Sequence, residues 1–113
     1  CDLLHTHTRL IASPAALADP WKKQKIEDIA LLLQASLAAH QKVALKMNAP
    51  KAKLGEITAL LPSLHAPTVS DLADTDWVAL ETVVDRDRVR SLIPDLRKRG
   101  AEGILEYELR KII

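Results

Sequence analysis

The chain has few of the residues that mark specialised classes of protein. Its 113 residues include one cysteine and no phenylalanine, and 16 basic residues nearly balance 15 acidic ones. A single cysteine excludes an internal disulfide, so a reducing, cytoplasmic setting is the expectation. The net charge of +1 offers no general attraction for nucleic acid or for an anionic membrane. No apolar run approaches the roughly 20 residues that span a bilayer.

The strongest internal pattern is a twofold repeat. Residues 43–46 (Val-Ala-Leu-Lys) and 78–81 (Val-Ala-Leu-Glu) agree at three of four positions, 35 residues apart. The same offset aligns the apolar positions that follow each segment: Leu54, Ile57, Thr58 and Leu61 with Val89, Leu92, Ile93 and Leu96. Two copies are too few for a solenoid, which needs about three units. The repeat therefore predicts a closed sandwich.

Each copy has the pattern of a strand, a helix and a second strand. The predicted elements are strand 42–47, helix 51–61, strand 68–72, strand 77–84, helix 87–98 and strand 103–108. This order predicts an α+β fold, a ferredoxin-like βαββαβ sandwich in which two helices cover one face of a four-stranded antiparallel sheet. Right-handed crossovers place the first and third strands in the middle of the sheet.

The segment before the repeat has its own organisation. Residues 1–12 alternate enough to predict a strand, and Asp19 followed by Pro20 begins a helix that should run to about His40. The middle of this helix is apolar most of the way round, so we expect it to contact a missing domain, another subunit, or both. Because the chain opens on Cys1 rather than methionine, it is expected to be a piece of a longer chain.

Metal-binding and catalytic patterns are weak. His5 and His7 could supply two ligands from one strand, but a site needs a third or fourth ligand, so an exposed polar face is the favoured interpretation. The aspartates of residues 71–76 lack the spacing of a calcium loop and instead fit a turn. No base identifies Cys1 as a nucleophile. We predict no metal ligand and no catalytic residue.

The residues alone limit the function without naming it. A ferredoxin-like sheet that binds RNA displays aromatic rings on its central strands, whereas Trp77 is the only ring in one of them here. There is also no Cys-x-x-Cys, phosphate-binding loop or Ser-His-Asp set. A small-molecule-binding or assembly domain remains, with its site at the seam between the repeats or at a contact between copies.

Several ordered motifs carry a resemblance to a known family. They are residues 19–22 (Asp-Pro-Trp-Lys), 25–29 (Lys-Ile-Glu-Asp-Ile), 45–50 (Leu-Lys-Met-Asn-Ala-Pro), 60–62 (Leu-Leu-Pro), 67–70 (Pro-Thr-Val-Ser), 77–79 (Trp-Val-Ala), 81–84 (Glu-Thr-Val-Val) and 100–104 (Gly-Ala-Glu-Gly-Ile). Together they resemble the C-terminal part of the long-form ATP phosphoribosyltransferase, over nearly the whole chain.

The resemblance implies a role in the first step of L-histidine biosynthesis. That family joins ATP to phosphoribosyl pyrophosphate with magnesium, assembles as a hexamer, and ends in a ferredoxin-like regulatory domain that binds L-histidine. Residues 42–113 would be this feedback sensor, and residues 1–41 the last strand and helix of the catalytic part. The family's phosphoribosyl-pyrophosphate loop lies outside the motifs seen here, so the chain alone should not be catalytic or hold the magnesium ion.

The resemblance also implies a histidine pocket. Carried over position by position, it consists of Asn48, Leu64, Thr68, Val83 and Gly103. Thr68 would hydrogen-bond the carboxylate or imidazole of the histidine, and a carbonyl near Gly103 would accept a hydrogen bond from its amine. Leu64 and Val83 would pack against the imidazole ring. Asn48 stands where other members have aspartate, so it adds no countercharge and affinity should be weaker.

Two alternatives stay open at this stage. The five pocket residues could instead only shape a turn and the core, because neutral residues in a small sheet are usually packing residues. The whole chain could be a free-standing small-ligand-binding or assembly module with no catalytic relationship. Because Asn48 and Val83 are partners in the 35-residue repeat, the sensor interpretation places the pocket at the seam between the two copies.

Overall fold

The computed structural model describes residues 3–61 and 66–113, and from residue 42 onward its elements follow the predicted order. In sequence they are α1 (Pro14–Ala18), α2 (Pro20–His40), β1 (Lys42–Pro50), a 3₁₀ turn (Lys51–Lys53), α3 (Leu54–Leu60), β2 (Thr68–Asp71), β3 (Trp77–Asp85), α4 (Arg86–Lys98) and β4 (Glu102–Glu108). From β1 onward this is a βαββαβ chain. The predicted α+β, ferredoxin-like class is confirmed.

The four strands form one antiparallel sheet in the order β2-β3-β1-β4. The first and third strands of the sandwich are therefore central, as predicted. β1 and β3 pair along nine positions, from Lys42 opposite Asp85 to Pro50 opposite Trp77. The two strands begin 35 residues apart in sequence, so the repeat detected in the sequence is also the central strand pair of the fold.

One face of the sheet is covered by α3 and α4. Alternate residues of the central strands, including Leu45 on β1 and Leu80 on β3, are fully buried against Ile57 of α3 and Leu96 of α4. The alternation follows from the two-residue period of a strand, which directs every second side chain to the same face. This single apolar layer is the core of the sandwich.

Helix α2 begins as predicted. The Asp19 carboxylate accepts hydrogen bonds from the backbone N–H groups of Trp21 and Lys22 at 2.9 and 3.2 Å, which satisfies donors that the first turn leaves unpaired. Pro20 occupies the first helical position, where its missing N–H has no cost. Only Ala35 and Ala39 are buried in this helix. No helix in the described part of the chain is long and apolar enough to cross a membrane.

The prediction of a strand over residues 1–12 is wrong for the residues that the structure describes. Residues 3–13 contain no strand, and their side chains are exposed. A strand requires a neighbour to pair its backbone groups, and the sheet order offers none to this segment. Ser13 instead caps the short helix α1, its hydroxyl accepting from the Ala16 N–H at 3.2 Å. The alternating side-chain pattern predicted a strand, but a pattern does not show whether a neighbouring strand is available to pair with it.

Hydrogen bonds from Ile112 and Arg86 join α2 and the residue that follows it to the sandwich. The Ile112 N–H donates to the Ala35 carbonyl at 3.1 Å, so the residues after β4 lie along α2. Arg86, at the start of α4, donates from Nε to the His40 carbonyl at 3.2 Å and from its backbone N–H to the Gln41 carbonyl at 2.9 Å. Both Arg86 contacts fall where α2 ends and β1 begins. They fix the direction in which α2 leaves the sheet.

Candidate ligand-binding face of the sheet

The sheet face opposite α3 and α4, called the open face below, carries the described residues of the predicted pocket. Its side chains come from the strand positions that alternate with the core residues. The registers arrange these positions in three rows across the sheet. The Val83 row contains Val83, Ala44 and Tyr107; the Thr68 row contains Thr68, Glu81, Lys46 and Leu105; the Asn48 row contains Ser70, Ala79, Asn48 and Glu102.

The structure brings Asn48 and Gly103 together. A Cβ atom built on Gly103 would lie 3.9 Å from Asn48 Nδ2. The register between β1 and β4 shifts between Lys46 and Asn48, so β4 contains a bulge beside Asn48. Gly103 has a φ of 57°, a backbone conformation that glycine adopts without steric cost. The glycine therefore allows the bulge that aligns this end of β4 with Asn48.

Thr68 and Val83 lie in neighbouring rows at the other side of the open face. Thr68 pairs with Glu81 on β3, two residues from Val83. Thr68 is exposed and Val83 is half-buried. From strand spacings of about 4.8 Å and rises of about 3.4 Å per residue, their Cα atoms are roughly 8 Å apart. An exposed hydroxyl and an aliphatic side chain at this distance can contact the same small ligand.

The four described pocket residues do not form one cluster within a single chain. Val83 pairs with Ala44 and Asn48 pairs with Ala79, which places Asn48 and Val83 four residues apart along the strands. The corresponding separation is about 14 Å, and the Thr68 row lies between them. A ligand bound at one of these residues would have to extend along the sheet to reach the other. Leu64, the fifth predicted residue, lies outside the described residues.

Charged side chains of opposite sign face each other across the open face. Lys46 lies opposite Glu81 in the β1–β3 register. At the start of β1, Lys42 Nζ lies 2.6 Å from Asp85 Oδ1. The hydrogen bond from Lys42, together with its positive charge, lowers the pKa of the Asp85 carboxyl from its ordinary value. Arg88 adds a smaller effect in the same direction. An ionised Asp85 carboxylate is the form that this contact with Lys42 stabilises.

Two depressions lie outside these three rows. One, of about 530 Å³, surrounds the start of α4 and is lined by His40, Gln41 and residues 85–88. Arg86 lines this depression and pairs with Glu108 at 3.4 Å. Sequence reasoning did not single it out, because its partners are distant in sequence. The other, of about 520 Å³, lies between residues 8–10 and α2.

No metal-binding cluster forms around His5 and His7 among the residues that the structure describes. His5 and His7 are exposed in a segment without regular structure. Across residues 3–61 and 66–113, no group of three or more histidine, cysteine, aspartate or glutamate side chains could hold a metal ion. Cys1 lies outside the described residues. The candidate site is the open face, because it carries the four described residues of the predicted pocket.

The fold and this face define a ferredoxin-like α+β domain with one covered and one open sheet surface, attached to a long apolar helix. Residues 39–111 match the family described as HisG, C-terminal domain. The chain belongs to this family. The match includes both central strands and every described residue of the predicted pocket.

Curated relatives are similar over the whole chain. The ATP phosphoribosyltransferase of Prosthecochloris aestuarii is 56% identical over 111 residues, which cover 98% of this chain and 38% of that protein. The Chlorobaculum parvum protein of the same name is 53% identical over the same shares. ATP phosphoribosyltransferase 1 of Geobacter sulfurreducens is 55% identical over 113 residues, covering 100% of this chain and 39% of that protein. The chain thus spans less than two fifths of the length of these relatives.

Proposed function

We propose that this chain is the regulatory, C-terminal portion of an ATP phosphoribosyltransferase and that its open face binds L-histidine as a feedback inhibitor. The observation that carries the proposal is family membership over residues 39–111, which include each predicted pocket residue. The whole enzyme would join ATP to phosphoribosyl pyrophosphate with magnesium. We assign no step of that reaction, and no magnesium ligand, to residues of this chain.

The spacing on the open face favours a site shared by two copies. Asn48 and Gly103 of one copy would meet Thr68 and Val83 of another, because the two groups lie at separate places on the open face of one chain. In a two-fold arrangement each copy contributes both groups, so two equivalent sites form. Leu64, four residues before Thr68 in the sequence, is assigned to the Thr68 group in this proposal.

Shared sites link histidine to assembly. A ligand that contacts two copies stabilises the assembled state by its differential affinity for that state. Homo-oligomers, and a hexamer in the whole enzyme, are accordingly part of this proposal. The exposed apolar residues of α2 fit the same proposal, because Leu32, Leu33 and Leu37 are each about half exposed or more and would be covered by another part of the longer protein.

Calorimetric titration of the chain with L-histidine tests the proposal, with D-histidine as the control ligand. We expect saturable heat and a concentration-dependent rise in melting temperature with L-histidine only. The absence of both at millimolar ligand, in a sample that sedimentation shows to be oligomeric, would contradict the sensor assignment.

A mixing experiment tests whether the site is shared. Asn48→Ala and Thr68→Ala each remove one group, so each variant alone should lose histidine binding. When the two variants are mixed and allowed to exchange subunits, mixed assemblies regain intact sites in which Asn48 comes from one copy and Thr68 from the other. Binding that does not recover would mean that Asn48 and Thr68 act within the same copy, which contradicts the shared site.

A further inference from the structure

The predicted pocket lacks an anionic group among its own residues. Asn48 carries a neutral amide, and Gly103 offers only backbone groups. A free amino acid brings a positively charged ammonium group, and moving it out of water is costly without a charged or well-placed hydrogen-bonding partner. Hydrogen bonds between an ammonium group and a carboxylate are about twice as strong as neutral ones. A carboxylate beside Asn48 would therefore decide how well an amino acid binds.

The β4 bulge places Glu102 beside Asn48. Glu102 is the residue paired with Asn48 in the β1–β4 register. Ala101 is buried in the core and Ile104 packs against it, so two consecutive residues, Glu102 and Gly103, lie between two core-facing positions. In an unbulged strand only one residue, or three, would separate residues that face the same side. The extra residue turns Glu102 to the open face together with Gly103.

The Glu102 carboxylate is available to a ligand. Its side chain is exposed, and no ion pair involves it within the described ranges, whereas Glu108 is paired with Arg86 and Asp85 with Lys42. The other carboxylate near Asn48 is Glu81, one row away. Glu81 faces Lys46 directly across the β1–β3 pair, so a cation already lies beside it.

We propose that Glu102 is a specificity-determining residue of this site and binds the ammonium group of the ligand, with Asn48 and the Gly103 backbone completing its hydrogen bonds. The inference rests on the proposed function, because it names the group that selects a free amino acid on the same face. The ligand class it predicts is an α-amino acid or amine rather than an uncharged imidazole compound.

Glu102→Gln tests the assignment, because it keeps the side-chain size and removes the charge. The probes are L-histidine and imidazole-4-propionate, which lacks the amino group. We expect the variant to bind L-histidine about tenfold more weakly, as a lost charge-assisted bond implies, while any binding of imidazole-4-propionate changes little. Glu106→Gln is the matched control: it lies on the same strand, is exposed, and pairs with Leu45 on the helix-covered side. It should leave both affinities unchanged.

A second variant separates a charge effect from a structural one. Asn48→Asp places a carboxylate one strand away, so adding it to Glu102→Gln should restore L-histidine binding, and circular dichroism should show the same fold in all variants. Wild-type affinity in Glu102→Gln, or an equal loss for both probes, would overturn the assignment while leaving histidine binding intact. A loss seen in Glu81→Gln but not in Glu102→Gln would move the role to Glu81. If the wild-type chain binds no histidine, that result contradicts the proposed function itself, not only the role of Glu102.

Discussion

Helix α2 and the sandwich are both rich in aliphatic residues, but they place these residues in opposite environments. In the sandwich Leu45 and Leu80 are fully buried, whereas in α2 Leu33 and Leu37 are 52% and 68% exposed. The sandwich strands bury one face against α3 and α4 of the same chain. Helix α2 makes its contacts mainly at its C-terminal end, through Ala35 and Ala39. The density of apolar residues thus predicts that a segment needs neighbours, but it does not say whether this chain supplies them.

The largest expected difference comes from one leucine in each region. Leu45→Ala removes buried methyl groups and leaves a cavity, so it should lower the free energy of unfolding by about 3 kcal/mol. Leu33→Ala should change it by less than about 0.5 kcal/mol in the monomer, because that side chain is half exposed. Urea unfolding monitored by circular dichroism measures both.

The concentration dependence of the same experiment sharpens the comparison. If copies associate through α2, the effect of Leu33→Ala should grow with protein concentration, because association stabilises the folded state by mass action. Leu45→Ala should show the same loss at every concentration. A concentration-independent loss of about 3 kcal/mol for Leu33→Ala would contradict the exposure of α2 in the single chain.

A glycine pair compares a constrained position of the sandwich with an unconstrained one. Gly103→Ala forces a side chain into a left-handed conformation at φ 57° and should cost about 1–2 kcal/mol. Gly55, in α3, has nothing within 4 Å of the position that a Cβ would take, so Gly55→Ala should stabilise by about 0.5–1 kcal/mol. Thermal unfolding of both variants checks the opposite signs. Equal effects would mean that the bulge is not held by the glycine.

A buried hydroxyl marks the weak point of the sandwich interior. Thr82 is 6% exposed, and its Oγ1 is the one buried side-chain polar atom without a hydrogen-bond partner in the described residues. Thr82→Val keeps the shape and removes the unpaired group, so it should stabilise the fold by about 1 kcal/mol. The control is Thr58→Val, because the Thr58 hydroxyl donates to the Leu54 carbonyl at 2.8 Å. That variant should gain nothing, and a destabilised Thr82→Val would indicate a partner for Oγ1.

The sequence predicted the sandwich because its signals were local and repeated. The 35-residue offset between β1 and β3, the apolar positions of the two helices and the Asp19-Pro20 helix start each appear in the structure as expected. The strand predicted over residues 1–12 failed because pairing depends on a neighbour that periodicity does not reveal. Helix 51–61 was predicted as one unit, whereas Lys51–Lys53 form a 3₁₀ turn before α3.

The candidate site was less predictable than the fold. The resemblance supplied Asn48, Thr68, Val83 and Gly103, and no periodicity could have shown that they divide into two groups about 14 Å apart. Glu102 was missed because the β4 bulge, which depends on the φ of Gly103 and on the register with β1, decides the face on which it lies. The signal available in the sequence was the Glu-Gly pair at residues 102–103, in which glycine indicates a bulge.

The smallest expected effect concerns the exposed ion pair between Lys42, at the start of β1, and Asp85. The Lys42 hydrogen bond lowers the folded-state pKa of Asp85 below its ordinary value of 3.8. The pair therefore contributes stability above pH 3.8, and this contribution is lost as the pH falls through the folded-state pKa. Lys42→Met should therefore raise the Asp85 pKa toward its ordinary value and destabilise the fold slightly at pH 7, and this destabilisation should disappear as the pH falls through the folded-state pKa. NMR titration of the Asp85 carboxyl carbon measures the pKa directly. Lys46→Met, four residues along β1 with its side chain on the same face, should leave the Asp85 pKa lowered. An equal rise in both variants would assign the effect to the general charge of the face instead of to the 2.6 Å contact.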